Sequence, residues 1–219
     1  MSLGRQLSVA RQRLADRRGR GVYAGWPDEQ RAIFIHVPKT AGTSLAQFLR
    51  VGPSRHVPCA VYLDANTRKF ASYWKFAFVR NPWDRLVSSF AFLRRGGMNA
   101  EDAAFASTHL ARFRDFGAFV REGLARPEIS SWVHFRPQAH FICDGDGRNR
   151  MDFTGRFERI AGDFRVVAER LGLEGDLPVT NRTPRPDYHV YNDAETREIV
   201  GAFYRTDIAL LGYRFEVDE

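Results

Sequence analysis

Two short stretches hold the side chains best suited to chemistry. The first is Pro38-Lys39-Thr40-Ala41-Gly42-Thr43-Ser44; the second is Arg80 with Ser88 eight residues on. A lysine, three hydroxyls and a glycine, placed directly after an apolar run, are what a turn needs to hold an anion. They supply charge, O–H donors and a point where the backbone can be approached closely. Against the nucleotide-triphosphate loop G-x-x-x-x-G-K-[ST], the stretch has one glycine, and its lysine precedes that glycine instead of following it. No acidic magnesium ligand is evident nearby. The loop suits phosphate, while a triphosphate with its metal is disfavoured.

The elements that must position these residues read as two strand-to-helix units. Residues 32–37 (AIFIHV) are a short apolar run rich in β-branched residues and bounded by Pro38, a buried strand. Residues 42–50 then put Leu45, Phe48 and Leu49 on one helix face. Residues 76–79 (FAFV) form a second strand, followed by Asn81 as N-cap and Pro82 at the first helical position. Trp83, Leu86, Val87 and Phe90 make its apolar stripe, and Gly96-Gly97 ends it. On this helix Ser88 shares a face with positions 81 and 84/85, so it can point toward Arg80 and make a second anion site. A capping turn with a solvated arginine satisfies the same spacing.

Further on, a helix is expected over residues 99–125 with Phe116, Phe119 and Val120 as its seam, and a strand over 152–157. A helix carrying Ile160, Phe164, Val167 and Leu171 closes at Gly172, and a last helix, with Asn192 and Glu195 as a capping box, stops at Gly212. Residues 3–20 place Leu3, Leu7, Ala10 and Leu14 at helical spacing among arginines, a basic arm or accessory helix. We therefore divide the chain into residues 1–25 and a single domain over 26–219. Strands alternating with helices indicate α/β with a mainly parallel sheet.

The 219 residues suffice for a sizeable core, and 44% hydrophobic with 27% charged residues is an ordinary globular balance. No apolar run approaches the roughly 18 residues needed to cross a bilayer, and no secretory signal is visible. A cytoplasmic, bacterial location is the default expectation. The net charge of +7 comes mainly from arginine, which favours bidentate contacts to phosphate, sulfate or carboxylate, though a basic solubilising surface has the same composition. Cys59 and Cys143 are read as free thiols, with a single disulfide left open. No nucleic-acid recognition motif is present. The run Asp144-Gly-Asp146-Gly lacks calcium ligands at its fifth and twelfth positions, Arg148 and Gly155, and is a turn.

These residues resemble a known family. HVPKTAGTSL is similar to the 5′-phosphosulfate loop of sulfotransferases, and FAFVRNPWDRLVSSF to their 3′-phosphate motif. MDFTGRFERIAGDF and YRTDIALLGYRF resemble later segments of the carbohydrate-type enzymes, among them bacterial members and heparan sulfate 2-O-type sulfotransferases. The resemblance runs in order over residues 32–215. It implies a P-loop NTPase-like three-layer fold, with helices flanking a mainly parallel sheet. It also implies 3′-phosphoadenosine 5′-phosphosulfate (PAPS) as donor, PAP as product, no metal, and a hydroxyl acceptor, foremost a carbohydrate.

By the same resemblance, Lys39 neutralises charge on the leaving phosphate oxygen. Backbone N–H groups of Ala41, Gly42, Thr43 and Ser44, with the Thr40, Thr43 and Ser44 hydroxyls, hold the 5′-phosphate. Arg80 and Ser88 take the 3′-phosphate. Arg156 reaches the donor or an acidic acceptor, or else pairs with Glu158; Arg182 and Arg185, in a proline-rich loop, cover the donor. In heparan sulfate 2-O-type relatives a histidine between the two motifs is the base, and His56 is the only histidine in that interval here. His36 is read as packing or orientation on the strand. His134 and His140 are either cleft-lining or structural, and Glu101 and Asp102 remain candidate bases. A P-loop kinase and a non-catalytic polysaccharide-binding module are the competing classes. Oligomeric state is not readable.

Overall fold

The structure is a computed structural model, and residues 3–52, 56–175, 177 and 186–216 are described. In chain order the elements begin with α1 (Leu3–Arg17), α2 (Trp26–Gln30), β1 (Ala32–Ile35), α3 (Gly42–Phe48), α4 (Cys59–Ala65) and α5 (Thr67–Ser72). Then come β2 (Trp74–Val79), α6 (Pro82–Arg94), α7 (Ala100–Phe105), α8 (Phe116–Glu122), α9 (Pro127–Ser130) and α10 (Ala139–Ile142). The last are β3 (Phe153–Arg156), α11 (Ile160–Leu171), α12 (Ala194–Phe203) and α13 (Arg205–Leu211). They form two compact units, each drawn from separated stretches of chain.

The first unit takes the described residues of Met1–Val37, Ala41–Val79 and Gln138–Thr180. It holds a parallel sheet in the order β1-β2-β3, with Phe34 beside Phe76 and Phe76 beside Phe153. Flanking helices complete a mixed α/β architecture. The central strand WKFAFV is buried at every position after Trp74, as expected of a parallel strand covered on both faces. Phe76 and Phe78 pack with Leu45 and Leu49 near α3 and with Phe164, Val167 and Ala168 of α11. Lys75, of opposite parity, lays its ammonium 5.3 Å from the Phe70 ring centre and pairs with Asp152 at 2.7 Å. Gly155 leaves room for the Phe78 ring; a Cβ there would lie 2.5 Å from it. Cys59 and Cys143 are buried free thiols; Cys59 donates to the Cys143 carbonyl at 3.2 Å, and burial pushes its thiol up to about 12. The Asp144 segment is a turn, its carboxylate accepting from the Asp146 and Arg148 N–H groups.

The second unit takes Pro38–Thr40, Arg80–Pro137 and the described part of Asn181–Glu219. Its core gathers Trp83, Leu86 and Phe90 of α6, Phe119 of α8, Phe135, Val200 of α12, Tyr204 and Phe215. Asn81 caps α6 by accepting from the Trp83 N–H at 3.1 Å, as its type and position require. Arg85 is fully buried here, donating to the carbonyls of His134 (3.3 Å) and Arg136 (2.7 Å) beneath the Tyr204 ring.

Three local expectations are corrected. The helix expected over 99–125 is broken into α7, a π-helical turn (Ala106–Leu110) and α8. Asp115 interrupts it because its carboxylate caps Ala118 and starts a new helix, while Arg94 satisfies the carbonyls of Leu110 and Phe113. The last capping box lies one residue later than expected, between Asp193 and Thr196. Asn192 donates instead to the Tyr188 carbonyl, and Glu195 pairs with Arg121. That final helix also divides at Tyr204, whose hydroxyl is drawn to the Phe135 carbonyl at 2.7 Å.

Candidate active site

In the second unit a residue of each motif meets the other. Arg80, at the end of β2, donates from Nη1 to the carbonyl of Lys39 at 3.2 Å. Its Nε is held by Asp84, one helical turn on, at 2.6 Å, with both side chains largely buried. The Arg80 side chain is thus fixed at two points. The Lys39 ammonium lies 3.8 Å from the centre of the Phe92 ring, a cation–π contact that steadies the charge without neutralising it. Phe92 lies one turn beyond Ser88, which is itself half-buried on α6. Neither Asp84 as a clamp nor Phe92 as a rest for Lys39 was foreseen. The four-residue spacings 80–84 and 88–92 on one helix face were the available signals.

The backbone between β1 and α3 is unusual for its sequence. Lys39 has φ 67° and Ala41 φ 65°, left-handed values at two residues that carry a Cβ. Each costs roughly 1–2 kcal/mol against a right-handed residue, and residues held in this way cluster at ligand clamps. Left-handed residues alternating with right-handed ones turn backbone N–H groups to one side, the form of an anion-holding nest. Ala41 is the N-cap of α3 and brings no side-chain acceptor of its own. Thr40 and Ser44 are buried and Thr43 is exposed.

In the first unit, Gly42 meets His36. A Cβ on Gly42 would lie 1.8 Å from His36 Cδ2 and 1.9 Å from Nε2. The space left by the missing Cβ is filled by an imidazole. His36 lies just beyond the strand, which ends at Ile35, and it stacks on Phe34. Gly42→Ala should drive that ring out of place and cost about 1–3 kcal/mol in a thermal melt, the usual penalty of overpacking.

His36 also positions His56. The His36 carbonyl lies 2.9 Å from His56 Nδ1, and the two ring centres are 4.3 Å apart. A carbonyl only accepts, so Nδ1 carries the proton and Nε2 is the basic nitrogen of the neutral ring. This is the tautomer that a general base acting through Nε2 requires.

The other candidates differ in burial and partners. Asp102 is buried, accepts from the Met98 N–H at 3.1 Å and lies 3.3 Å from His134 Nε2; Gly97 packs against it. It is built into the fold, whereas Glu101 is exposed. His134 is buried beside Phe92, with ring centres 5.1 Å apart, and His140 is exposed. Arg156 is half-buried on β3, its backbone N–H donating to Asp163 at 2.6 Å, and Glu158 is exposed. Arg182 and Arg185 lie outside the described residues.

A parallel sheet whose first two strands each lead across a short turn into a helix is of the P-loop-like class. The family model described as Sulfotransferase family matches residues 27–214, and the chain belongs to that family. Carbohydrate sulfotransferase 14 of Danio rerio is 24% identical over 180 residues, covering 66% of this chain and 47% of that protein. Carbohydrate sulfotransferase 11 of Mus musculus is 22% identical over 188 residues, covering 68% and 53%. The chain thus spans about half the length of the curated relatives it matches. Both relatives are animal proteins and lend no support to the expected bacterial source. No solved structure matches. Among the described residues, no helix is long and apolar enough to cross a membrane.

Proposed function

We propose that this chain is a sulfotransferase that moves a sulfuryl group from PAPS to a carbohydrate hydroxyl by in-line displacement. The observation that carries this reading is the hydrogen bond from Arg80 to the Lys39 carbonyl, which couples the two strand-end motifs. Family membership and the names of the two relatives support the reaction class and the acceptor. The donor supplies the sulfuryl group already activated on a phosphate.

The chain's own residues have distinct roles. Backbone N–H groups of Ala41, Gly42, Thr43 and Ser44, with the hydroxyls of Thr40, Thr43 and Ser44, hold the 5′-phosphate. Arg80, oriented by Asp84, and Ser88 bind the 3′-phosphate, the group that separates this donor from ordinary adenosine nucleotides. Arg156 and Arg182 are further donor contacts. Lys39 stabilises negative charge on the departing phosphate oxygen, and His56 Nε2 removes the acceptor proton. Chemistry of this kind depends on positioning and fixed charge.

Lys39→Ala should lower turnover about 100-fold or more while changing donor affinity far less, because its charge matters most as the bond breaks. Single-turnover assays beside equilibrium binding separate the two effects. The reading itself is tested by following the thermal midpoint with PAP and with ATP plus magnesium. Stabilisation by PAP at the lower concentration supports it; preference for ATP with magnesium replaces it with a kinase, and no response to either leaves a non-catalytic module.

A further inference from the structure

We infer that α1 is an interfacial helix that docks the protein on anionic phospholipid surfaces. The apolar stripe read in the sequence turns out to face solvent: Leu7 is 65% and Leu14 47% exposed, and Ala10 between them is exposed too. Ala10 and Leu14 also line a shallow groove with Gln6, Val9 and Arg17, flanked by Arg13.

This outward face is set by anchors on the opposite side and flank of the helix. Asp16 accepts from Lys69 Nζ at 3.0 Å and from Asn66 Nδ2 at 2.8 Å, and Arg13 Nε reaches the Asp64 carbonyl at 3.1 Å. Lys69 is further held by Asp28 at 2.9 Å. The leucines are therefore exposed by a helix fixed in place.

Charge decides the occupant. The first twenty residues hold six arginines and one aspartate, five of the chain's seven net positive charges. The one aspartate is Asp16, turned inward onto Lys69, while Arg11 and Arg17 of the helix and Arg18 and Arg20 just beyond it are exposed. A second copy would bring the same cations into contact and be repelled. An anionic bilayer satisfies both features: leucines enter the headgroup boundary while arginines meet lipid phosphates. An anionic polysaccharide would use the arginines and leave the leucines wet.

The test is co-sedimentation of the full chain with vesicles of phosphatidylcholine alone and with 30% (about a third, enough for a strong surface potential) phosphatidylserine. Binding is expected only to the anionic vesicles and should weaken with salt. Arg11→Gln/Arg17→Gln/Arg18→Gln should reduce partitioning about 100-fold, roughly fivefold per charge. Leu7→Ser/Leu14→Ser should reduce it at least about tenfold with all charges intact. These positions are exposed and outside the proposed catalytic machinery, so both variants should keep the wild-type melting temperature and PAP response. Absence of binding to anionic vesicles overturns the inference. So does full binding by the leucine variant, which would mark a purely electrostatic surface such as one for polysaccharide. A concentration-dependent dimer abolished by the same leucine changes would also overturn it. None of these outcomes touches the sulfotransferase reading.

Discussion

His56→Ala should abolish sulfuryl transfer, lowering turnover by about 100- to 10,000-fold, the usual contribution of a positioned base, while PAP still binds. The sharper variant is His56→Asn. Its amide N–H can keep the hydrogen bond to the His36 carbonyl that His56 Nδ1 makes at 2.9 Å, but it offers no basic nitrogen. If His56 acts as the base, the asparagine enzyme is as inactive as the alanine one. If the residue serves only to hold the loop near His36, asparagine restores most of the turnover. Single-turnover rates at saturating donor, beside PAP affinity, decide between them. Near-normal rates in the alanine variant would remove His56 from the mechanism altogether.

Arg80→Ala should weaken PAP binding by roughly 10- to 150-fold, the loss of one charge-assisted contact worth about 1.5–3 kcal/mol. It also leaves the largely buried Asp84 without its cation, so the variant should be less stable by about 3 kcal/mol or more. The two effects separate in Arg80→Ala/Asp84→Asn: stability returns because no buried charge is left alone, but affinity does not. Arg80→Lys should fail as well, since an ammonium cannot hold Asp84 and the Lys39 carbonyl while presenting a further donor edge. Isothermal titration below the melting range gives the affinities. Wild-type affinity in the double variant would show that Arg80 is part of the scaffold and not of the donor site.

The strand-helix units were legible because each is a local statement. The apolar run at 32–37, bounded by Pro38, has to hold a strand, which spans Ala32–Ile35, and Asn81-Pro82 has to start a helix, since cap and ring chemistry act within a few residues. Gly172 closing α11 is of the same kind, with φ 64°. The breaks at Asp115 and Tyr204 were not legible, because periodicity continues through them. What ends the helices there is a carboxylate competing for backbone N–H groups and a phenol reaching 69 residues back to Phe135.

The site divides along the same line. Residue types and spacing were enough to nominate Lys39, Gly42 and Arg80, because binding an anion demands cations, donors and a tight turn, whatever surrounds them. They did not indicate that Gly42 yields its space to the His36 ring, that Asp84 clamps Arg80, or that Phe92 supports Lys39. Nor did they tell which side of α1 faces water. Composition and period alone determined the two strand-helix units and the charges the chain carries. Tertiary structure decided which side chains fill one another's empty volume and which stay wet, because packing and desolvation depend on neighbours that chain order does not reveal.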